Sequence, residues 1–252
     1  LLGPRAPRGV ATPARREAPL VLSVVVPAYN EADRLPPTLS RLRQYLDGLG
    51  EEYEMIVADD GSRDDTVELA ERTAAGWPQQ RVLRLEHQGK GAAVRAGMLA
   101  ARGNPRLFTD ADLSTPIDEL PRLREQLQGR CAVAIASRAL PQSEIEVHQP
   151  GRRETMGRMY NRLLRLVALP GLHDTQCGFK LFTAEAAVAC FEPLRTLGFG
   201  FDAEVLLRAR RQGWTIAEVP VRWSHKEDSR VSPLRDSSRV LLDLFLLRIR
   251  GR

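Results

Sequence analysis

Lysine is nearly absent from this chain of 252 residues: of 37 Lys and Arg residues, only Lys90, Lys180 and Lys226 are lysine. Cysteine is scarce too. Cys131, Cys177 and Cys190 are odd in number and form no metal-type pair, which argues against a disulfide framework and fits a reducing compartment. His87, His148, His173 and His225 stand alone, so no zinc pattern exists. Aromatic residues make up only 6% of the chain, too few for the stacking platform of an RNA-binding protein. No apolar run approaches the ~18 residues of a spanning helix, and no signal peptide is visible. There is no G-x-x-x-x-G-K-[ST] loop and no G-x-G-x-x-G after the first expected strand. These absences set aside a Walker-type NTPase and a dinucleotide-dependent dehydrogenase.

What is present is ordinary globular composition, with 43% apolar and 27% charged residues. The length suits one large domain with a buried core. The net charge of +5 is unevenly placed. Residues 1–19 carry four Arg against one Glu, a net of +3, and residues 221–252 carry a net of +4. The body between them is therefore slightly acidic. A nucleic-acid-binding domain would put its positive charge on the folded body, so no nucleic-acid partner is expected.

The leader, 1–19, holds four prolines and reads as disordered. Strands are expected over 20–26, stopped by Pro27, and over 53–58, 81–85, 106–109 and 131–136. Helices are expected over 35–49, 64–75, 91–101 and 117–128. This alternation predicts βαβ units and a doubly wound, mostly parallel sheet. Further on, 151–169, 184–191, 201–211 and 234–250 read as helices and 215–219 as a strand. Residues 175–183 read as a loop entering a short strand, and 224–232 as a polar loop.

Ligands of such sheets sit outside the carboxyl ends of the strands. Here those ends are rich in carboxylates. Asp110-Ala111-Asp112 follows a strand directly, and two carboxylates at i and i+2, with a small residue between, can reach one Mg²⁺ or Mn²⁺. Taken alone, such a pair is more often a solvated turn. Asp59-Asp60-Gly61-Ser62 can accept hydrogen bonds from a base or ribose, or Ser62 can cap the following helix. Gln88-Gly89-Lys90-Gly91 precedes a helix, where backbone N–H groups and Lys90 favour an anion; a glycine turn with a solvated lysine is the plain alternative. Arg138, Arg152 and Arg153 flank a polar stretch between Pro141 and Pro150 and could pair with phosphate. Asp174, Asp202 and Glu204 are acids near glycine-rich turns, either beside a cleft or solvated. Cys177 reads as a small loop or core residue.

The ordered set Val24-Val-Val-Pro-Ala-Tyr-Asn-Glu31, Asp59-Asp-Gly-Ser62, Gly89-Lys-Gly91 and Asp110-Ala-Asp-Leu-Ser-Thr-Pro116 resembles the signature of family 2 glycosyltransferases. Asp174-Thr-Gln-Cys-Gly-Phe-Lys-Leu-Phe182 and Gly198-Phe-Gly-Phe-Asp-Ala-Glu204 are similar to its polyprenyl-phosphate branch, most of all to the dolichyl-phosphate β-glucosyltransferases. The resemblance implies a GT-A (Rossmann-like) α/β fold: a mostly parallel central sheet flanked by helices, with a C-terminal amphipathic helix. It implies a catalytic domain over 20–223, then a flexible loop and membrane-facing helix over 224–252.

By the same resemblance, Pro27, Tyr29, Glu31, Asp59 and Asp60 would hold the nucleoside. Lys90, Asp110 and Ala111 would lie at the donor, and Asp110 with Asp112 would meet the diphosphate and its Mg²⁺ or Mn²⁺. Arg138, Arg152 and Arg153 would face the acceptor phosphate. Ser229-Arg230 stands where relatives have Ser-Lys in a loop over the donor, and His87-Gln88 departs from an Asn-rich approach to Gly-Lys-Gly. The implied reaction is inverting transfer of a hexose from a nucleotide sugar to a polyprenyl phosphate. UDP-glucose is the favoured donor and GDP-mannose a second. The expected location is the cytoplasmic face of an anionic membrane, met by the basic C-terminal segment. Two alternatives stay open. One is transfer to a sugar hydroxyl, with Asp174 or Asp202 as base. The other is a non-catalytic, membrane-docked nucleotide-sugar binder.

Overall fold

A computed structural model describes residues 22–128, 131–147, 162 and 169–226. Its centre is a seven-stranded sheet in the order β3-β2-β1-β4-β7-β5-β8. Strand β1 (Leu22–Ala28) runs parallel to β2 (Tyr53–Asp59) and to β4 (Arg106–Thr109), and β2 runs parallel to β3 (Gln80–Arg84). On the far side, β5 (Cys131–Ser137) runs parallel to β8 (Thr215–Pro220). Between the two parallel groups lies β7 (Phe179–Phe182), antiparallel to both β4 and β5. A separate parallel pair joins β6 (Glu144–Val147) to β9 (Arg222–Ser224).

Successive strand residues point to opposite faces, and the core divides accordingly. Val25, Ile56 and Phe108 face one layer, packed on α3 (Lys90–Ala100), α5 (Ala184–Phe191) and α6 (Phe201–Arg211). Val24, Val26, Met55, Val57 and Leu107 face the other. There they meet Leu35, Leu39, Leu42 and Leu46 of α1 (Leu35–Gly48). These four leucines recur at helical spacing and are all buried. Ala70 of α2 (Thr66–Ala75) and Leu120 and Leu123 of α4 (Leu120–Arg124) complete that layer.

Four details differ from expectation. Pro27 does not stop β1, which continues to Ala28 in register with β2. Ala28 turns its carbonyl to β2, accepting from Asp60 N at 2.8 Å, so the alternate residue Pro27 faces the β4 side, where pairing has ended at Val25. A missing N–H costs nothing there. The helix expected over 117–128 is a 3₁₀ turn, Ile117–Glu119, followed by the short α4, because Pro121 at the start of α4 cannot continue the ladder. The polar stretch between Pro141 and Pro150 contains β6, and the expected 224–232 loop opens on the last residue of β9.

The 1–19 leader, the 234–250 helix and the residues Arg152, Arg153, Ser229 and Arg230 lie outside the described residues. So does the helix expected over 151–169, apart from Arg162 and Leu169.

Candidate active site

The order β3-β2-β1-β4 reverses its direction of growth between β1 and β4, the place where open α/β sheets form a crevice. A cavity of about 370 Å³ opens there. Pro27, Ala28, Tyr29 and Glu31 reach it from β1, Asp60 from β2, His87, Gly89 and Lys90 from the start of α3, and Asp110, Ala111 and Asp112 from β4. Of the expected site residues, Pro27, Tyr29, Glu31, Asp60, Lys90, Asp110, Ala111 and Asp112 are thus brought together. Arg34, His87, Ala93 and Phe199 line the cavity without having been expected.

The loops after β1 and β2 hold one another. Asn30, at φ 53°, donates its N–H to Ser62 Oγ at 2.8 Å and accepts from Arg63 N at 2.7 Å. Glu31 N donates to Thr66 Oγ1 at 2.7 Å, and the Glu31 carboxylate clasps Arg34 at 2.6 and 2.7 Å. Asp59 does not line the cavity: its carboxylate is buried and accepts from Gly61 N, Ser62 N and Ser62 Oγ. Asp60 is buried as well, with its oxygens accepting from Gln88 N at 2.9 Å and Gly89 N at 2.9 Å and facing His87 Nδ1 at 2.8 Å. The two acids therefore build the loops that shape the cavity. His87 in turn stacks on Tyr29, with ring centroids 4.2 Å apart.

Gly89 sits at φ 117°, a conformation side chains avoid, and a Cβ there would stand 2.7 Å from the Leu197 carbonyl oxygen. That turn starts α3 and delivers Lys90. Lys90 Nζ stands 2.6 Å from Asp110 Oδ1, an ion pair with side chains 22% and 31% exposed. Asp110 Oδ1 has no other hydrogen-bond partner among the described residues. Burial works to lower the Lys90 pKa, but the carboxylates of Asp110, Asp202 and Asp112 outweigh it and the value is raised. Asp112 Oδ1 accepts from Ser114 N at 2.9 Å, and Leu113 between them takes φ 46° to make the turn.

No group of three His, Cys, Asp or Glu side chains fit to hold a metal occurs among the described residues. Asp110 and Asp112, open to the cavity, fit a hard cation whose remaining ligands come from substrate oxygens and water.

Arg138 and Asp174 pair with each other outside this lining. Nε and Nη2 of Arg138 meet the two Asp174 oxygens at 2.6 and 2.9 Å, and Arg138 N adds a third contact at 3.0 Å. Arg138 also lies over the Trp223 ring at 5.3 Å. Burial would push Asp174 up, but Arg138 holds it down at about 2, with a further hydrogen bond from Gln176 N. Asp174 is thus a firmly ionised carboxylate, a poor base. Asp202 is buried 2.6 Å from Lys180 Nζ, and Lys180, fully buried, also donates to the Cys177 carbonyl at 2.6 Å. Burial raises the Asp202 pKa against the pull of Lys180 and Lys90. Cys177 is buried, its thiol pushed up to about 11 by desolvation, in keeping with a core residue.

Lys180 and Phe199 stand inside segments that the sequence comparison singled out, yet nothing in residue type alone separates a buried lysine from a solvated one. His87 was legible only as a departure from pattern, and Arg34 carried no signal of its own.

The sequence profile of Glycosyl transferase family 2 matches residues 23–191. The dolichyl-phosphate beta-glucosyltransferase of Drosophila melanogaster is 36% identical over 264 residues, covering 99% of this chain and 81% of that protein. The human protein of the same name is 35% identical over 243 residues, covering 91% and 75%. Among solved structures, glucosyl-3-phosphoglycerate synthase from Mycobacterium tuberculosis, in complex with Mn²⁺, UDP and glucosyl-3-phosphoglycerate, superposes with a TM-score of 0.70. It is 23% identical and the match covers 91% of this chain and 80% of that one, a likeness of fold.

Proposed function

The chain belongs to glycosyl transferase family 2 and is a glycosyltransferase, and from that premise we propose that it moves glucose from UDP-glucose to a dolichyl-type polyprenyl phosphate. The product is a β-linked lipid-phospho-glucose, formed with inversion at C1. Two relatives at 35–36% identity across nearly the whole chain carry the name of this activity. The observation that carries the chemistry is the Asp110–Asp112 pair with Lys90 at the rim of the β1–β4 crevice.

The nucleoside is proposed to lie against Pro27, Tyr29, Glu31 and Asp60, with the diphosphate towards Lys90, Asp110 and Asp112. A Mg²⁺ or Mn²⁺ held by Asp110 and Asp112 would supply charge neutralisation on the leaving diphosphate. Lys90 adds a second positive charge there. The acceptor phosphate is mostly dianionic near neutral pH, its second pKa being ~6, so its oxygen attacks C1 without a general base. An O–C1 bond forms as the C1–O bond to UDP breaks on the opposite face. A phosphate acceptor also fits the acids of the site. Asp174 is paired with Arg138 and Asp202 with the fully buried Lys180, and neither acid lines the cavity, so neither is poised to deprotonate a sugar hydroxyl.

No helix among the described residues is long and apolar enough to cross a membrane. A lipid acceptor brings the chain to a membrane, and we place it on the cytoplasmic face with the basic 224–252 segment towards anionic lipid. Arg152, Arg153, Ser229 and Arg230 are proposed to approach the acceptor and donor phosphates.

A donor panel tests the reading. UDP-glucose, GDP-mannose and UDP-N-acetylglucosamine are offered with Mn²⁺ or Mg²⁺ and a short polyprenyl phosphate, and the lipid product is read by mass. A lipid-phospho-hexose from UDP-glucose is expected. Transfer only to soluble sugars, or no turnover with any lipid phosphate, overturns it.

A further inference from the structure

We infer that Gly178 is a positioning residue, whose missing side chain leaves the space in which the Asp110 carboxylate sits. This rests on the reading of Asp110 as part of the donor and metal site. The antiparallel register sets Thr109 opposite Phe179, and one step further Asp110 N donates to the Gly178 carbonyl at 3.0 Å. Directly opposed residues of an antiparallel pair project to the same face. Here one of the two has no side chain, and the other leans across into the gap. A Cβ on Gly178 would lie 2.0 Å from Asp110 Oδ2, 2.2 Å from Cγ and 2.5 Å from Oδ1.

The backbone does not require glycine at this point. Gly178 is not among the glycines with positive φ, so any L-residue could take its conformation. The requirement is room, and the three nearest atoms are one carboxylate group. Gly91 and Gly97 are crowded too, but by Thr196 and Phe201 and by Val25, which is ordinary packing.

Neither partner can give way cheaply except in one manner. Gly178 is flanked by the buried Cys177, whose carbonyl holds Lys180 and whose Sγ meets Thr115 Oγ1 at 3.3 Å, and by the fully buried Phe179. Asp110 has its backbone fixed on Gly178. The side chain of Asp110 is the part free to rotate, and rotation takes the carboxylate away from Lys90 and from its place beside Asp112. A methyl group at 178 thus acts on the site more than on the fold.

The test uses the full chain, Mn²⁺ alone as probe, and a double-mutant cycle. Gly178→Ala is expected to bind Mn²⁺, measured by EPR without nucleotide, at least about tenfold more weakly than the parent. Its Tm should fall by roughly 2–10 °C, the usual range for a misplaced methyl in a domain of this size. In an Asp110→Ala background the same Gly178→Ala change should cost far less in Tm, because the clashing group is gone. Unchanged Mn²⁺ affinity in Gly178→Ala, or an equal Tm loss in both backgrounds, overturns the proposal. If Gly178→Ala does not fold, the Asp110→Ala/Gly178→Ala chain decides: folding like Asp110→Ala supports it and failing to fold refutes it. The thermal cycle needs no sugar donor or acceptor, so its outcome is separate from that of the donor panel.

Discussion

Two acid–base pairs stand near the carboxyl ends of the strands and are built in opposite ways. Lys90–Asp110 has one contact, at 2.6 Å, and both side chains are partly open, at 22% and 31%. Arg138–Asp174 has a two-pronged contact, a backbone N–H in support and an aromatic ring over the guanidinium, and Asp174 is only 2% exposed. A single contact facing a cavity can exchange partners when an anion or cation arrives. A bidentate pair built on a buried carboxylate cannot, because separating it leaves the Asp174 charge in a medium that does not solvate it, even though Arg138 itself stays 25% exposed. In the proposed function the first pair takes part in the chemistry, and the second is proposed to belong to the framework that carries it.

Substitutions separate the two pairs most sharply. Asp110→Asn and Asp112→Asn are expected to lower transfer by about 10²-fold or more at saturating Mn²⁺ while leaving Tm nearly unchanged, read by product mass and thermal melting. Asp174→Asn should do the reverse in kind, removing about 2 kcal/mol of stability in a urea titration because the buried carboxylate that holds Arg138 at three points becomes a neutral amide. If Asp174→Asn instead spared stability and abolished transfer, the contrast between the pairs would be wrong.

Acid offers a gentler probe of the closed pair. The folded pKa of Asp174, about 2, lies below its ordinary 3.8. Its stabilisation is therefore complete above about pH 4 and is lost as pH falls towards 2, a loss of roughly 2 kcal/mol. Urea midpoints of the parent and Asp174→Asn, followed from pH 6 to pH 2, should converge by that amount. The smallest effect is expected at the open pair's cation. Lys90→Met should raise the KM for donor about tenfold, with a lesser change in kcat, read by steady-state kinetics.

The sequence made the open side of the molecule readable and the closed side much less so. β1, β2 and β4 end in Pro27–Glu31, Asp59–Ser62 and Asp110–Asp112, and strand alternation with helices was enough to place those ends together. Composition could not say which carboxylates face inward. Asp59 and Asp60 look alike in sequence, yet one holds only its own turn and the other holds the loop before α3 while still lining the cavity. The antiparallel sense of β7 was also hidden, since a four-residue strand reads the same in either direction. With that sense went the partners of Lys180, and with them the buried charges that support the site. Glu144–Val147 has only one partly buried residue, Ile145, flanked by three exposed ones, too weak an alternation to mark an edge strand.

The inserted strand β7 also sets a timetable. All the residues that line the cavity except Phe199 come before residue 113, and β1 to β4 are complete by Thr109. Asp110, however, acquires its backbone partner only from Gly178, almost 70 residues later. On a ribosome making the chain from its N-terminus, the crevice floor can assemble while β7 is still unmade. The outer edge of β4 then remains an open strand until the return segment fills it. Over that interval the open edge of β4 is a template on which another chain could pair.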